Sequence, residues 1–401
     1  MIDPAVLALA RLCADPEGDH DTALAEMDER TWRRLAAMAC GVRAAPLLVR
    51  AAPFRLAREA LSPESVRLMA LEREARIESL RHSAALVRVS DRLSAAGIRA
   101  IALKGAAIAR CSYPEPHLRP MVDLDLLIPG EAAAQAHRVL LADRDYSVHP
   151  GVLDQVWDNP EHLAPIVDGG ASVTIEIHWR VGAAIGGEAL QNEIVRSAQS
   201  DMAGNAALLF PSASANLLHL MANACAKDGL ISTMIVLADA AYALRGDEPA
   251  IRSLPDRASR LGLDRALSLV AAVAHDAGAD WPRLLGPVLE TPPPGSAERA
   301  MALMAVPREV ARRQRIVDRK AGGSQPVRAG AFVRRAFAPD PLALESFRGQ
   351  GRTRIAAYLA WLVDRTRQAG AALVERRLHG ISKGVDIVAW VRAGPMEREG
   401  A

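Results

Sequence analysis

Apolar residues recur every three or four positions through SVRLMALEREARIESLRHSAALVRVSDRLSAAG (65–97), with arginines and glutamates between them. That is the period of an amphipathic helix. Residues 1 to about 95 read as helices, with Gly97 as a C-cap. The period then changes. IRAIAL (98–103) is an apolar run of strand length that ends at Lys104-Gly105, AAIARCSY (106–113) starts a helix, and VDLDLLI (122–128) is a second strand. EAAAQAHRVLLAD (131–143) is helical and DYSVHP (145–150) is a short strand or turn. HLAPIV (162–167) and ASVTIEIHW (171–179) flank Asp168-Gly169-Gly170, a hairpin-turn signal. From about 205 the helical period returns in NLLHLMANACAKDGLISTMIVLADAAYAL (216–244), and again in RIAAYLAWLVDRTRQAGAALVERRL (354–378). The pattern predicts an α+β fold: an N-terminal helical region over 1–96, a core with a small mixed β-sheet over 97–204, and a C-terminal helical region over 205–401.

Composition narrows this little. Half of the chain is apolar, about a quarter is charged, and the formal net charge of +2 points to no particular partner. The positive charge is almost all arginine; lysine stands only at 104, 227, 320 and 383. Cys13, Cys40, Cys111 and Cys225 lie far apart with no metal-ligand spacing, which argues against a zinc site or disulfide framework and for a reducing compartment. The N-terminal stretch has no basic leader, and no apolar run approaches the ~20 residues of a membrane span. A soluble cytoplasmic protein is expected.

Chemistry concentrates where polar residues interrupt apolar strands. In VDLDLLI, alternation sends Asp123 and Asp125 to one face and Leu124 and Leu126 to the other. Two carboxylates ~7 Å apart on one face repel unless something positive sits between them. TIEIHW (174–179) repeats the device, with Thr174, Glu176 and His178 on one face and Ile175, Ile177 and Trp179 on the other. If the two strands are neighbours, Asp123, Asp125 and Glu176 converge into an oxygen site suited to Mg²⁺. Upstream, the strand–Lys104-Gly105-Ala106–helix turn lets backbone N–H groups approach a phosphate, and Arg119 lies four residues before Asp123. Taken singly, a DxD pair is common and often a solvated strand end.

In combination, LKGAAIARCSYPEPHLRPMVDLDLLI (103–128) followed by VTIEIHW (173–179) resembles an uncharacterised bacterial nucleotidyltransferase family of the DNA polymerase β-like superfamily. The resemblance covers roughly residues 97–182. It implies a polymerase β-like nucleotidyltransferase core flanked by helices. It also implies two Mg²⁺ ions (Mn²⁺ as a substitute) held by Asp123, Asp125 and Glu176, with Glu176 helping to deprotonate the attacking group. Gly105 would cradle phosphate beside Lys104, and Arg119 would neutralise the triphosphate. The implied activity moves a nucleoside monophosphate from an NTP, ATP by preference, to a hydroxyl, amine or phosphate acceptor on a small molecule, peptide, protein or RNA end. One departure is Ala106: many superfamily members carry a phosphate-binding serine or threonine there. It favours the alternative of a degenerate NTP- or partner-binding module.

Further candidates have plainer readings beside them. His178 touches substrate, orients Glu176, or simply packs at a strand end. His162 opens the hairpin and approaches the site or stays structural. Lys227, as a nucleotide-binding residue, and Asp239, as a substrate contact, reach into the cleft from the following helices, or serve a surface or helix-end role. Cys111 reads as packing. Arg312, Arg313, Arg315, Arg319, Lys320, Arg328, Arg334 and Arg335 form a basic run with only Phe332 and Phe337 as aromatics. A solvated face is favoured there over a nucleic-acid grip, which would serve an RNA-modifying enzyme.

Overall fold

The computed structural model describes residues 2–130, 132–150, 159, 161–200, 208–286, 290–310 and 385–393. Residues Met1–Val306 with Gly384–Ala401 form one compact unit, and Pro307–Lys383 form another. The basic run at 312–335 and the expected helix at 354–378 lie outside the described residues.

The helical N-terminus comprises α1 (Pro4–Ala14), α2 (Asp21–Glu26), α3 (Glu29–Gly41), α4 (Ala45–Ala51), α5 (Pro53–Arg58) and the long α6 (Pro63–Ala95). Ser62 starts α6 by accepting the Ser65 amide, with Pro63 at the first helical position. Gly97, with φ +71°, ends it one residue past the cap, in the left-handed region that glycine enters without strain.

Next come β1 (Ala100–Ala102), α7 (Lys104–Cys111), β2 (Asp123–Leu127), α8 (Ala132–Leu141), β3 (Tyr146–Val148), β4 (Ile166–Asp168) and β5 (Val173–His178). They are followed by α9 (Gly187–Ser197), β6 (Gln199–Ser200) and β7 (Leu208–Phe210). The strands form one seven-stranded mixed sheet in the order β3-β4-β5-β2-β1-β7-β6. The pairs β2–β5 and β1–β7 are parallel and the others antiparallel. The expected hairpin is β4–β5. The helical reading from 205 onward needs correction, because Leu208–Phe210 is a strand beside β1. Three apolar residues before Pro211 carry too little alternation to separate from the start of α10 (Ala213–Ala222).

Each face of the sheet has its own core. On one, Leu124, Leu126, Val173, Ile175 and Ile177 pack with Ala85, Leu86, Val89 and Leu93 of α6 and with Ala133, Ala136 and Leu140 of α8. On the other, Ile101, Leu103 and Leu127 join the apolar residues of α1, α3, α4, α10, α11 (Ile235–Ala243), α12 (Glu248–Arg260), α13 (Asp264–Asp276) and α14 (Ser296–Met304). N- and C-terminal helices thus share one layer, with α1 against α11. Each fully buried leucine contributes on the order of 2 kcal/mol. The acids of β2 and β5 point into this second layer.

One ion pair, between a buried carboxylate and an exposed arginine, pins the hairpin to α6. Asp168 is 1% exposed; it accepts the Gly170 and Ala171 amides and binds Arg88 Nη2 at 2.6 Å. Asp168→Ala strands two turn amides and the arginine. It is expected to cost about 2–4 kcal/mol in denaturant titrations. Arg88→Ala, which leaves the amides holding the carboxylate, is expected to cost about 1–2 kcal/mol. The reverse order would contradict this account.

Candidate active site

β2 and β5 run parallel in a register that sets Asp125 beside Glu176 and Asp123 beside Thr174. Alternation then stacks Asp123, Asp125, Thr174, Glu176 and His178 on one face. Of the three acids expected to converge, Asp125 and Glu176 lie side by side. The tightest group is Asp125, Glu176 and His178, each offering one ligand atom within 4.8 Å of the others. Asp123 lies one pleat away, outside that tightest set, because it opens the strand opposite a threonine.

The positive charge that the paired aspartates require comes first from the protein. Lys104 Nζ is 2.6 Å from Asp125 Oδ1, and His178 donates from Nε2 to the same oxygen at 2.7 Å. Lys104 is not a cation waiting beside the phosphate turn, as its sequence position implied; its ammonium reaches back into the acids. Its backbone has φ +48°, a conformation a non-glycine residue adopts only when held there. The clamp is Asn216 on α10, which accepts the Lys104 amide at 2.8 Å and donates to the Lys104 carbonyl at 3.0 Å.

The charges follow from these contacts. Burial raises the carboxyl of Asp123 to about 6, and the neighbouring Asp125 and Glu176 push the same way. Burial opposes the charge on Asp125 too, but Lys104 and His178 outweigh it and hold that carboxyl far below the usual range. Burial likewise opposes the charge of His178, which its bonds to Asp125 and Glu176 outweigh, raising the imidazole. Glu176 is lowered despite its burial, chiefly by His178.

Gly105 follows on α7, where a Cβ would sit 2.9 Å from Met121 Cγ and 3.7 Å from Arg119 Nη1. The missing side chain therefore makes room for Met121. Arg119 is not the free arm the sequence implied. Nε and Nη2 grip Asp239 at 2.7 and 3.0 Å and Nη1 donates to the Pro120 carbonyl at 3.2 Å, leaving two of its five N–H groups. Asp239, expected as a substrate contact, is instead turned to Arg119. It is 0% exposed, and its carboxylate also accepts the Tyr113 hydroxyl at 2.7 Å. Its role is to hold Arg119.

His162 and His178 lie ring to ring at 5.1 Å, with His162 Nε2 3.6 Å from Glu176 Oε2. Lys227 closes the π-helical turn Asn223–Lys227 and pairs with buried Glu161 at 2.7 Å, so its charge is already engaged. Cys111 is exposed at the end of α7, which corrects the packing reading. Sequence reasoning missed Asn216, Glu161 and His219. Burial lowers the His219 imidazole to about 3, with Lys104 and His178 adding to the effect. A signal existed: polar residues at 216, 219, 223 and 227 recur at three- and four-residue spacing through an apolar run, the mark of a single helix face.

The donor set fits a divalent cation. The adjacent carboxylate oxygens of Asp125 and Glu176 suit Mg²⁺ or Mn²⁺. Residues 28–277 match the model of a family described as uncharacterised nucleotidyltransferase. The chain belongs to that family. No curated protein and no solved structure matches it. This nucleotidyltransferase is accordingly a transferase of phosphorus-containing groups, and the matched span takes in the whole sheet and α10. Among the described residues, no helix is long and apolar enough to cross a membrane.

Asp123 provides a test of the electrostatics. Its folded-state pKa is raised, so the folded protein loses stability as pH climbs from about 4 through 6 and the carboxyl ionises. Asp123→Asn is therefore expected to leave the melting temperature unchanged near pH 4. Without divalent ions it should stabilise by about 1–3 kcal/mol at pH 7.5. Equal effects at both pH values would refute the assignment.

Proposed function

We propose that the protein transfers a nucleoside monophosphate from an NTP, ATP by preference, to a hydroxyl, amine or phosphate acceptor, releasing pyrophosphate. The observation that carries this reading is the parallel register of Asp125 with Glu176 beside the start of α7. Asp123, Asp125 and Glu176 would hold two Mg²⁺ ions, with Mn²⁺ as a substitute; when bound, these bring nucleophile and leaving oxygen in line and offset the charge developing between them.

The remaining work falls to the chain. The Lys104 amide is taken by Asn216, and the Gly105 and Ala106 amides that follow in the first turn of α7 are suited to phosphate oxygens. Gly105 adds no side chain of its own to that turn, where Met121 packs and Arg119 Nη1 lies close by. An acceptor hydroxyl or amine attacks the α-phosphorus, the bond to the pyrophosphate oxygen breaks, and Glu176 takes the proton. Asn216 and Asp239 act one step back, fixing Lys104 and Arg119. Ala106 supports a second reading, a module that binds NTP without transferring it, because it withholds the hydroxyl common in the superfamily.

Incubation with α-³²P-labelled NTPs, Mg²⁺ and cell extract separates the two. Label is expected on an acceptor, and Asp125→Asn or Glu176→Gln should reduce the transfer rate about 10³-fold. Tight NTP binding with no transferred label would favour the module.

A further inference from the structure

Lys104 stands where two demands meet. Its backbone opens α7, the helix end suited to phosphate, while its ammonium lies on Asp125, an acid suited to the cation. The placement is costly locally, since a β-carbon at φ +48° is strained and Asn216 spends both ends of its amide to hold it. The arm beyond is different. Four flexible methylenes carry the charge, and the side chain keeps 19% of its exposure, against 6% for Asp125. Fixed base and flexible arm make a pivot.

Resting on the transfer reading above, we propose that Lys104 is a displaceable counter-ion: it holds Asp125 until nucleotide phosphates draw its ammonium toward α7 and hand the carboxylate to the divalent cation. An ammonium and a divalent cation compete for one carboxylate, because each neutralises the charge that attracts the other. His178 is the partner that stays. It is 1% exposed on the rigid strand β5, so Asp125 keeps one hydrogen bond and its orientation while Lys104 leaves. The triphosphate supplies the compensating negative charge, so the ammonium exchanges one anion for another and is never left unpaired. Cation and nucleotide consequently bind as a cooperative pair, each weak without the other.

The test is Mn²⁺ binding followed by electron paramagnetic resonance, with and without a non-hydrolysable NTP. In the natural protein the NTP analogue is expected to tighten Mn²⁺ about tenfold. Lys104→Met should tighten Mn²⁺ about tenfold without nucleotide, and weaken the analogue about tenfold. Opposite movements of the two affinities are the signature, since a merely structural lysine would weaken both. Lys104→Arg, which keeps the charge and grips a carboxylate in a fork, should weaken Mn²⁺ below the natural level without nucleotide; it covers the case in which the methionine variant does not fold. Unchanged or weaker Mn²⁺ binding in folded Lys104→Met, or unchanged binding in Lys104→Arg, overturns the proposal. The nucleotide-free titration reads only the competition for Asp125, whereas label transfer reads the reaction. Absence of the competition with transfer intact would therefore remove this inference alone.

Discussion

Like charges on one buried face of a sheet repel, and the arrangement around β2 and β5 answers that repulsion. The parallel register brings Asp125 against Glu176, and the alternation of each strand leaves no way to turn one acid aside without exposing Leu124, Leu126, Ile175 or Ile177. The cost of gathering acids is thus tied to the apolar core beneath them. Lys104 and His178 offset it from within, at 2.6 and 2.7 Å. At Asp123 burial and the neighbouring Asp125 and Glu176 outweigh the pull of Lys104 and Arg43, and the carboxyl is driven upward instead.

The helical layers serve this arrangement. α10 lies buried on nearly every side, and it still carries Asn216 and His219 inward toward the acids. Asn216 fixes a left-handed lysine. Asp239, on α11, fixes Arg119 through two hydrogen bonds and takes a third from Tyr113. These residues fix charged side chains, and each lies more than a hundred residues from its partner in the segment between β1 and β2. Helices α10 and α11 are thereby the support on which Lys104 and Arg119 rest.

Much of the site was legible in the chain because its signal is local. Asp123 and Asp125 alternate with leucines, Glu176 and His178 with isoleucines, and a glycine follows Lys104 at a strand end. Each pattern states which face a side chain takes. The strand β7 was not legible, since three apolar residues support either period. Asn216 and His219 were legible only as a stripe through an apolar helix, a pattern that does not say what it faces.

By itself the sequence determined which residues share a face, because the periods of helix and strand are properties of the backbone. It determined the acids on their strands, the strand–glycine–helix turn and the helical flanks. Only the tertiary structure decided which charges meet. It turned Lys104 onto Asp125, locked Arg119 onto Asp239 and set Glu161 under Lys227. Long charged arms have several partners within reach, and the choice among them rests on how distant helices pack, which no local period encodes.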